Sequence, residues 1–261
     1  MYQINDIDRQ GRRLVAEAEN HLLRSGQASD RVQVLGHRGA PVPGIAENSV
    51  AAVTRALRQG ADGVEIDVWL VANGTLVCTH DLADADVNSL ATLTELLAAA
   101  QGPEGTRVVV EAKPVADPAV AQATADALAD VLRTSAGTAG ITISSFDADL
   151  LATIRATCAD LPVRTALLGE KSDDAAAVVR RASRDGHDEV HLSLVAAGRT
   201  PRAVRVARAL GLGVSLWTVN AARDLRWAAG LGVDAVITDD VRTARNELSR
   251  PAVGDLAQAA A

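Results

Sequence analysis

Between positions 37 and 113, residues able to do chemistry end or follow apolar runs: His37-Arg38-Gly39, Glu47-Asn48, Glu65-Ile66-Asp67, His80-Asp81 and Glu111-Ala112-Lys113. Charges in such places carry a desolvation cost unless they are paired or put to use. Residues two apart on a strand share a face. Glu65 and Asp67 therefore project together, as do Glu111 and Lys113, while Val64, Ile66, Val68, Val110 and Ala112 face the other way. Three carboxylates suit one hard divalent cation held by oxygen ligands, Mg²⁺ or Ca²⁺, and the residues do not choose between the two. Three protein ligands leave positions for water and substrate oxygens. His37 and His80 suit a general acid and a general base, because imidazole titrates near neutrality. Arg38, through its fork, and Lys113, as a point charge, suit an anionic substrate. Together this is the chemistry of metal-assisted phosphodiester cleavage.

Each residue also has a plainer role. The acids could form structural ion pairs with Lys113 or Arg38, but three acids outnumber two bases, and buried charges need partners. Asn48 precedes the helix-forming run SVAAVTRALRQG and is a candidate N-cap as much as a site residue. Trp69 shares the parity of Glu65 and Asp67 and fits the site mouth or the core equally. His21, His187 and His191 have no comparable company and read as surface or core residues.

The blocks HRGAPVPGIAENSVAAV, GADGVEIDVWL, TLVCTHD and VVVEAKP, in this order, resemble the glycerophosphodiester phosphodiesterase family. The later segments ITISSFDADLL, VSLWTVN and VDAVITDD are similar to it as well, so the resemblance runs over about residues 32–245. It implies a TIM barrel, catalysis by His37 and His80, and metal ligation by Glu65, Asp67 and Glu111. It further implies phosphate or substrate contacts from Arg38 and Lys113, support from Glu47, and a pocket wall at Trp217. Ala46 in place of Pro, Ser49 in place of Thr and Asn73 in place of Asp are mild departures. A larger one follows His80-Asp81, where many members carry an insertion and this chain runs almost directly into LATLTELLAAA. The mouth should be more open there, or covered by another chain, with a homo-oligomer as one way to cover it.

The elements that must position these residues alternate along the chain. Strands are expected at 32–36, 63–70, 107–112, 141–145, 163–168, 189–193, 213–217 and 235–238. Helices are expected at 48–59, 92–100, 117–133, 147–157, 172–184, 200–210, 222–229 and 241–248. Eight such units in 261 residues predict a single α/β domain, a closed TIM (β/α)8 barrel, ahead of an open doubly wound sheet. In that fold the active site lies at the C-terminal strand ends, where His37, Glu65, Asp67, Glu111, Ser145 and Trp217 fall. An extension over 1–31, with an amphipathic helix at 7–25, should precede the barrel at 32–249, and a loose Ala-rich tail should follow at 250–261.

Composition sets the bounds. The chain is 48% hydrophobic but only 2% aromatic, so its core must be built from Leu, Val, Ile and Ala. A net charge of −7 argues against a nucleic-acid-binding surface and leaves a small phosphodiester as the expected partner. No run approaches the roughly 18 apolar residues of an integral membrane segment, and the acid-bearing N-terminus is unlike a secretory signal, so a cytoplasmic location is expected. Cys78 and Cys158 lie in apolar runs and should be buried free thiols. Three readings follow. The first is hydrolysis of a glycerophosphodiester to an alcohol and glycerol 3-phosphate. The second is lyase-type or phospholipase D-like cleavage of a lysophospholipid or specialised-metabolite phosphodiester through a cyclic phosphate. The third is a non-catalytic barrel that binds a phosphorylated ligand.

Overall fold

The computed structural model of the protein describes residues 31–83, 85–102, 106–135 and 140–249. The expected N-terminal helix and the tail from 250 lie outside the described residues. The strands are β1 (Gln33–Gly36), β2 (Gly63–Leu70), β3 (Leu76–Cys78), β4 (Arg107–Ala112), β5 (Ile141–Ser145), β6 (Arg164–Gly169), β7 (Glu189–Ser193), β8 (Gly213–Trp217) and β9 (Ala235–Thr238). All but β3 run parallel, and β1 pairs with both β9 and β2, which closes the sheet into a barrel and excludes the open alternative.

The helices are α1 (Val50–Arg58), α2 (Leu93–Ala99), α3 (Pro118–Thr134), α4 (Ala148–Thr157), α5 (Ala175–Arg184), α6 (Leu194–Arg199), α7 (Arg202–Ala209), α8 (Ala222–Leu231) and α9 (Val241–Leu248). Short polar residues fix their starts by accepting a hydrogen bond from the first turn: Ser49 for α1, Asp117 for α3, Asp147 for α4, Asp174 for α5 and Asp240 for α9. Thr92 and Glu95 form a reciprocal capping box at α2.

Two elements depart from the expectation. LVC folds as β3, antiparallel to the outer end of β2, because β1 covers β2 only at Gly63 and Val64 and leaves that edge open from Val68 to Leu70. The short helix α6 follows β7 directly, with Ser193 as its N-cap. Val108, Val110, Ile141, Ile143, Val190, Leu192, Val214 and Leu216 face outward and pack under the Ala-rich inner faces of the helices. Burying each Val, Leu or Ile contributes about 1.5–3 kcal/mol. Cys78 and Cys158 are buried free thiols.

The barrel interior is not uniformly apolar. Leu35, Val109, Ala235 and Ile237 form a small cluster under Trp217. At its base Arg107 pairs with Glu189, which also bonds Thr142, Arg164 and His191. This closed polar floor leaves the opposite, C-terminal rim as the open end.

Candidate active site

At that rim a cavity of about 240 Å³ is lined by His37, Arg38, Glu65, His80, Glu111 and Lys113 on one side, and by Ser144, Phe146, Leu168, Glu170, His191, Trp217 and Ile237 on the other. Register explains the first group: Asp67 on β2 sits beside Glu111 on β4, two strand residues above Glu65 and Val109 and so on the same face. Carboxylate oxygens of Glu65, Asp67 and Glu111 lie within 4.8 Å of one another.

Lys113 Nζ donates between the acids, 2.5 Å from Asp67 Oδ1 and 2.6 Å from Glu111 Oε1. Lys113 thus forms the ion pairs while also lining the cavity. Glu65 is least compensated: its Oε2 accepts from the Arg38 backbone N–H at 3.0 Å, while buried Oε1 has no hydrogen-bond partner among the described residues. Burial and the neighbouring Asp67 and Glu111 charges push the Glu65 carboxyl up to about 8. Burial likewise raises Glu111, against the opposing charge of Lys113. Asp67 goes the other way, because Lys113, Asn48 and Arg38 outweigh its desolvation. An all-oxygen donor set with an orphaned buried carboxylate oxygen fits a hard divalent cation.

The loop after β1 is shaped for this cluster. Arg38 takes φ 53° and Gly39 φ 85°, with a Cβ at Gly39 falling 2.6 Å from the Ala52 backbone. A non-glycine residue in that region stores strain that surrounding contacts must hold. Here the Arg38 N–H is tied to Glu65 and its guanidinium to Glu47 at 2.8 Å, with Nε 3.4 Å from Asp67. Glu47 thus steadies Arg38. Asn48, also at positive φ (50°), is not the N-cap, since Ser49 takes that place. Asn48 instead donates from Nδ2 to Asp67 Oδ2 at 2.8 Å and accepts the Asp67 N–H at 2.9 Å.

The two histidines differ in setting. His37 Nδ1 lies 2.6 Å from Asp239 Oδ1. Asp239 is held in turn by Asn220, whose Nδ2 donates to Oδ2 at 2.6 Å and whose Oδ1 accepts the Asp239 N–H. Burial works to lower the His37 pKa, but the Asp239 hydrogen bond and the Glu65 charge outweigh it and raise it. That bond and Asn220 hold the Asp239 carboxyl below its usual range, so it accepts and His37 Nδ1 carries the proton. His80, exposed after β3, is lowered by partial burial and by the charges of Arg38 and Lys113. Trp217 does wall the cavity, edge-on to Phe146 at 5.7 Å, with its Nε1 donating to the His191 carbonyl. Trp69 is half-buried and does not line it.

The expected site residues thus come together, with Asp67 in the carboxylate cluster beneath the cavity lining and Glu47 reaching the site only through Arg38. Asp239, Asn220, Phe146, Glu170 and His191 were not anticipated. Asp239 and Asn220 lie within the quoted TDD and WTVN blocks, so a signal was present without a way to rank them. Among the other histidines, His187 is buried against Thr165, and His21 lies outside the described residues.

A family model described as the Glycerophosphoryl diester phosphodiesterase family matches residues 37–100 and 82–243. Over 48 residues the chain is 52% identical to a protein of Mycobacterium tuberculosis named "Probable glycerophosphodiester phosphodiesterase 1". That match takes in 18% of this chain and spans only 17% of the relative's length. A solved glycerophosphodiester phosphodiesterase from Parabacteroides distasonis superposes with a TM-score of 0.73 at 23% identity, covering 84% of this chain and 98% of that one. A phosphodiesterase from Oleispira antarctica, solved in complex with the product sn-glycerol-3-phosphate, gives 0.70 at 21% identity, covering 84% and 98%. At these identities the structural matches establish the barrel fold.

Proposed function

Since the chain belongs to the glycerophosphoryl diester phosphodiesterase family, we propose that it is an enzyme that hydrolyses a glycerophosphodiester to an alcohol and glycerol 3-phosphate. The observation that carries this reading is that one cavity gathers two imidazoles of different setting around buried carboxylates and cationic side chains. A binding site for a phosphorylated ligand has no need of paired proton-transfer groups.

Glu65, Asp67 and Glu111 would hold one divalent cation, Mg²⁺ or Ca²⁺, which when bound supplies charge stabilisation at the phosphoryl oxygens. Arg38, braced by Glu47, orients the phosphate through its fork. Lys113 favours the ionised form of Asp67, opposes the burial that raises Glu111, and adds a positive charge at the cavity wall. Asp239 holds the His37 ring with Nδ1 protonated, which leaves Nε2 as the atom that exchanges a proton. His80 makes the complementary transfer from the open side of the cavity. One histidine removes the proton of the attacking hydroxyl and the other delivers one to the leaving oxygen, so the pair keeps its total of protons but with the two rings exchanged, and proton exchange with solvent resets them before the next turnover.

The test is incubation with glycerophosphocholine, glycerophosphoethanolamine and a lysophospholipid, with Mg²⁺, Ca²⁺ or chelator, followed by phosphorus NMR. Metal-dependent glycerol 3-phosphate is the expected product. A cyclic phosphate would replace hydrolysis with the lyase-type reading, which the short connection from His80 to α2 favours by leaving that side of the mouth without an inserted domain. Turnover of none of them would favour the binding barrel.

A further inference from the structure

The cavity has two unlike halves. Over β1, β2 and β4 it is lined by ionisable groups, and over β5 to β9 its walls are mostly apolar, Phe146, Leu168, Trp217 and Ile237, with the exposed carboxylate of Glu170 beside them. Ser144 and His191, 1% and 0% exposed, line the bottom of this second half. Both carry a buried polar atom, Ser144 Oγ and His191 Nδ1, with no hydrogen-bond partner among the described residues. Polar atoms buried in a barrel interior are nearly always paired, and exceptions ask for a reason.

The chemistry of the His191 atom can be read from its other side. Its Nε2 lies 3.0 Å from Glu189 Oε2, and Glu189 also takes Arg107, Arg164 and Thr142. Burial alone would raise the Glu189 carboxyl, but the His191 bond and the two arginines hold it down at about 2. An ionised carboxylate only accepts, so Nε2 carries the ring proton. Burial and the nearby arginines, outweighing Glu189, lower the pKa of His191 and keep the ring neutral. Nδ1 is therefore a lone-pair acceptor fixed by the barrel floor, and Ser144 Oγ can donate or accept. An apolar wall with hydrogen-bonding groups beneath it matches a short polyol, whose carbons lie against the rings while its hydroxyls point down.

We propose that Ser144 and His191 form a polyol subsite that hydrogen-bonds the hydroxyls of the glycerol arm of the substrate, leaving the leaving alcohol at the open mouth by His80. The subsite rests on the phosphodiester reading for its neighbour, the phosphate, and deepens it by assigning which arm enters which half. It also makes the protein choose glycerol esters over simple alkyl ones, because a site built to bond hydroxyls rejects a ligand lacking them.

The test compares sn-glycerol 3-phosphate with ethyl phosphate by titration calorimetry in Mg²⁺, for the wild type, Ser144→Ala and His191→Gln. Glutamine mimics Nε2 and keeps the bond to Glu189 while removing the Nδ1 acceptor. The wild type should prefer glycerol 3-phosphate, and each variant should reduce the preference about tenfold, the usual effect of one lost hydrogen bond. If His191→Gln fails to fold, Ser144→Ala decides. No preference in the wild type, or a preference intact in the folded variants, overturns the proposal. Turnover of glyceryl p-nitrophenyl phosphate separates the two readings. Turnover with an unaltered ligand preference sinks the subsite alone, and a hydroxyl-dependent preference without turnover sinks the phosphodiesterase reading alone.

Discussion

Asn48 grips Asp67 at both ends, donating to its carboxylate at 2.8 Å and accepting its backbone N–H at 2.9 Å, from a backbone at φ 50°. The arrangement ties the loop after β1 to the middle of β2. It also spends backbone strain to aim one carboxylate.

Asn48→Ala should therefore lose about 2 kcal/mol of stability, from the unpaired groups it leaves. Asn48→Gly loses the same bonds but relaxes the positive φ, so it should be the more stable variant by about 1 kcal/mol. Urea midpoints with unchanged slopes would show this. Equal losses in the two variants would mean that the backbone is not strained there.

Removing Asp239 should leave folding intact and slow turnover. In Asp239→Ala, kcat should fall about 100-fold, within the range of general acid–base contributions. The pH–rate limb belonging to His37 should move to lower pH, because the hydrogen bond that raises its pKa is gone. A limb at the wild-type position would show that Asp239 does not orient the ring.

His37→Ala and His80→Ala should each lose between about 10² and 10⁴ in kcat on glycerophosphocholine. With a p-nitrophenolate leaving group, which departs without a proton, the variant lacking the acid should recover and the variant lacking the base should not. Recovery of both or of neither would contradict a division of roles between them.

Without metal, Glu65 sets a pH slope. Its folded pKa of about 8 lies above the value of an unfolded carboxylate, so the folded state binds more protons from about pH 4 to 8. Stability in chelator should thus be greatest at the acid end of that window and fall by a few kcal/mol as pH rises through it. Glu65→Gln should flatten the slope, and excess Mg²⁺ or Ca²⁺ should raise the wild-type melting temperature at pH 8 but not that of Glu65→Ala. Chemical denaturation at pH 5.5 and 8 reads the first, and thermal scans the second. A slope that survives Glu65→Gln would locate its origin elsewhere.

Much of this site was legible because its residues break a simple rule. In β2 and β4 the outward positions are Val, Ile and Ala, so Glu65, Asp67, Glu111 and Lys113 stand out as charges on the inward parity. Asp239 had no such contrast. Asp234, Asp239 and Asp240 lie within seven residues, and only folding separates them: Asp234 bonds the Val214 N–H, Asp240 caps α9, and Asp239 reaches His37. Asn48 and Ser49 are both good caps, so adjacency alone could not say which would serve. His191 acquires its neighbours only from strand register, beside Leu168 and Ser215. The strand β3, three residues long, lacks the length that makes alternation visible.

Closure of the barrel between β1 and β9 also sets a clock. His37 and the Asp239 that orients it are 202 positions apart in the chain. At about 5–20 residues per second, the ribosome reaches the second roughly 10–40 s after the first. Well before that interval ends, β2, β4, His37 and His80 are already in the nascent chain. The His37 ring acquires its Asp239 hydrogen bond only after the last strand arrives, so that contact is among the latest to form as the chain is made.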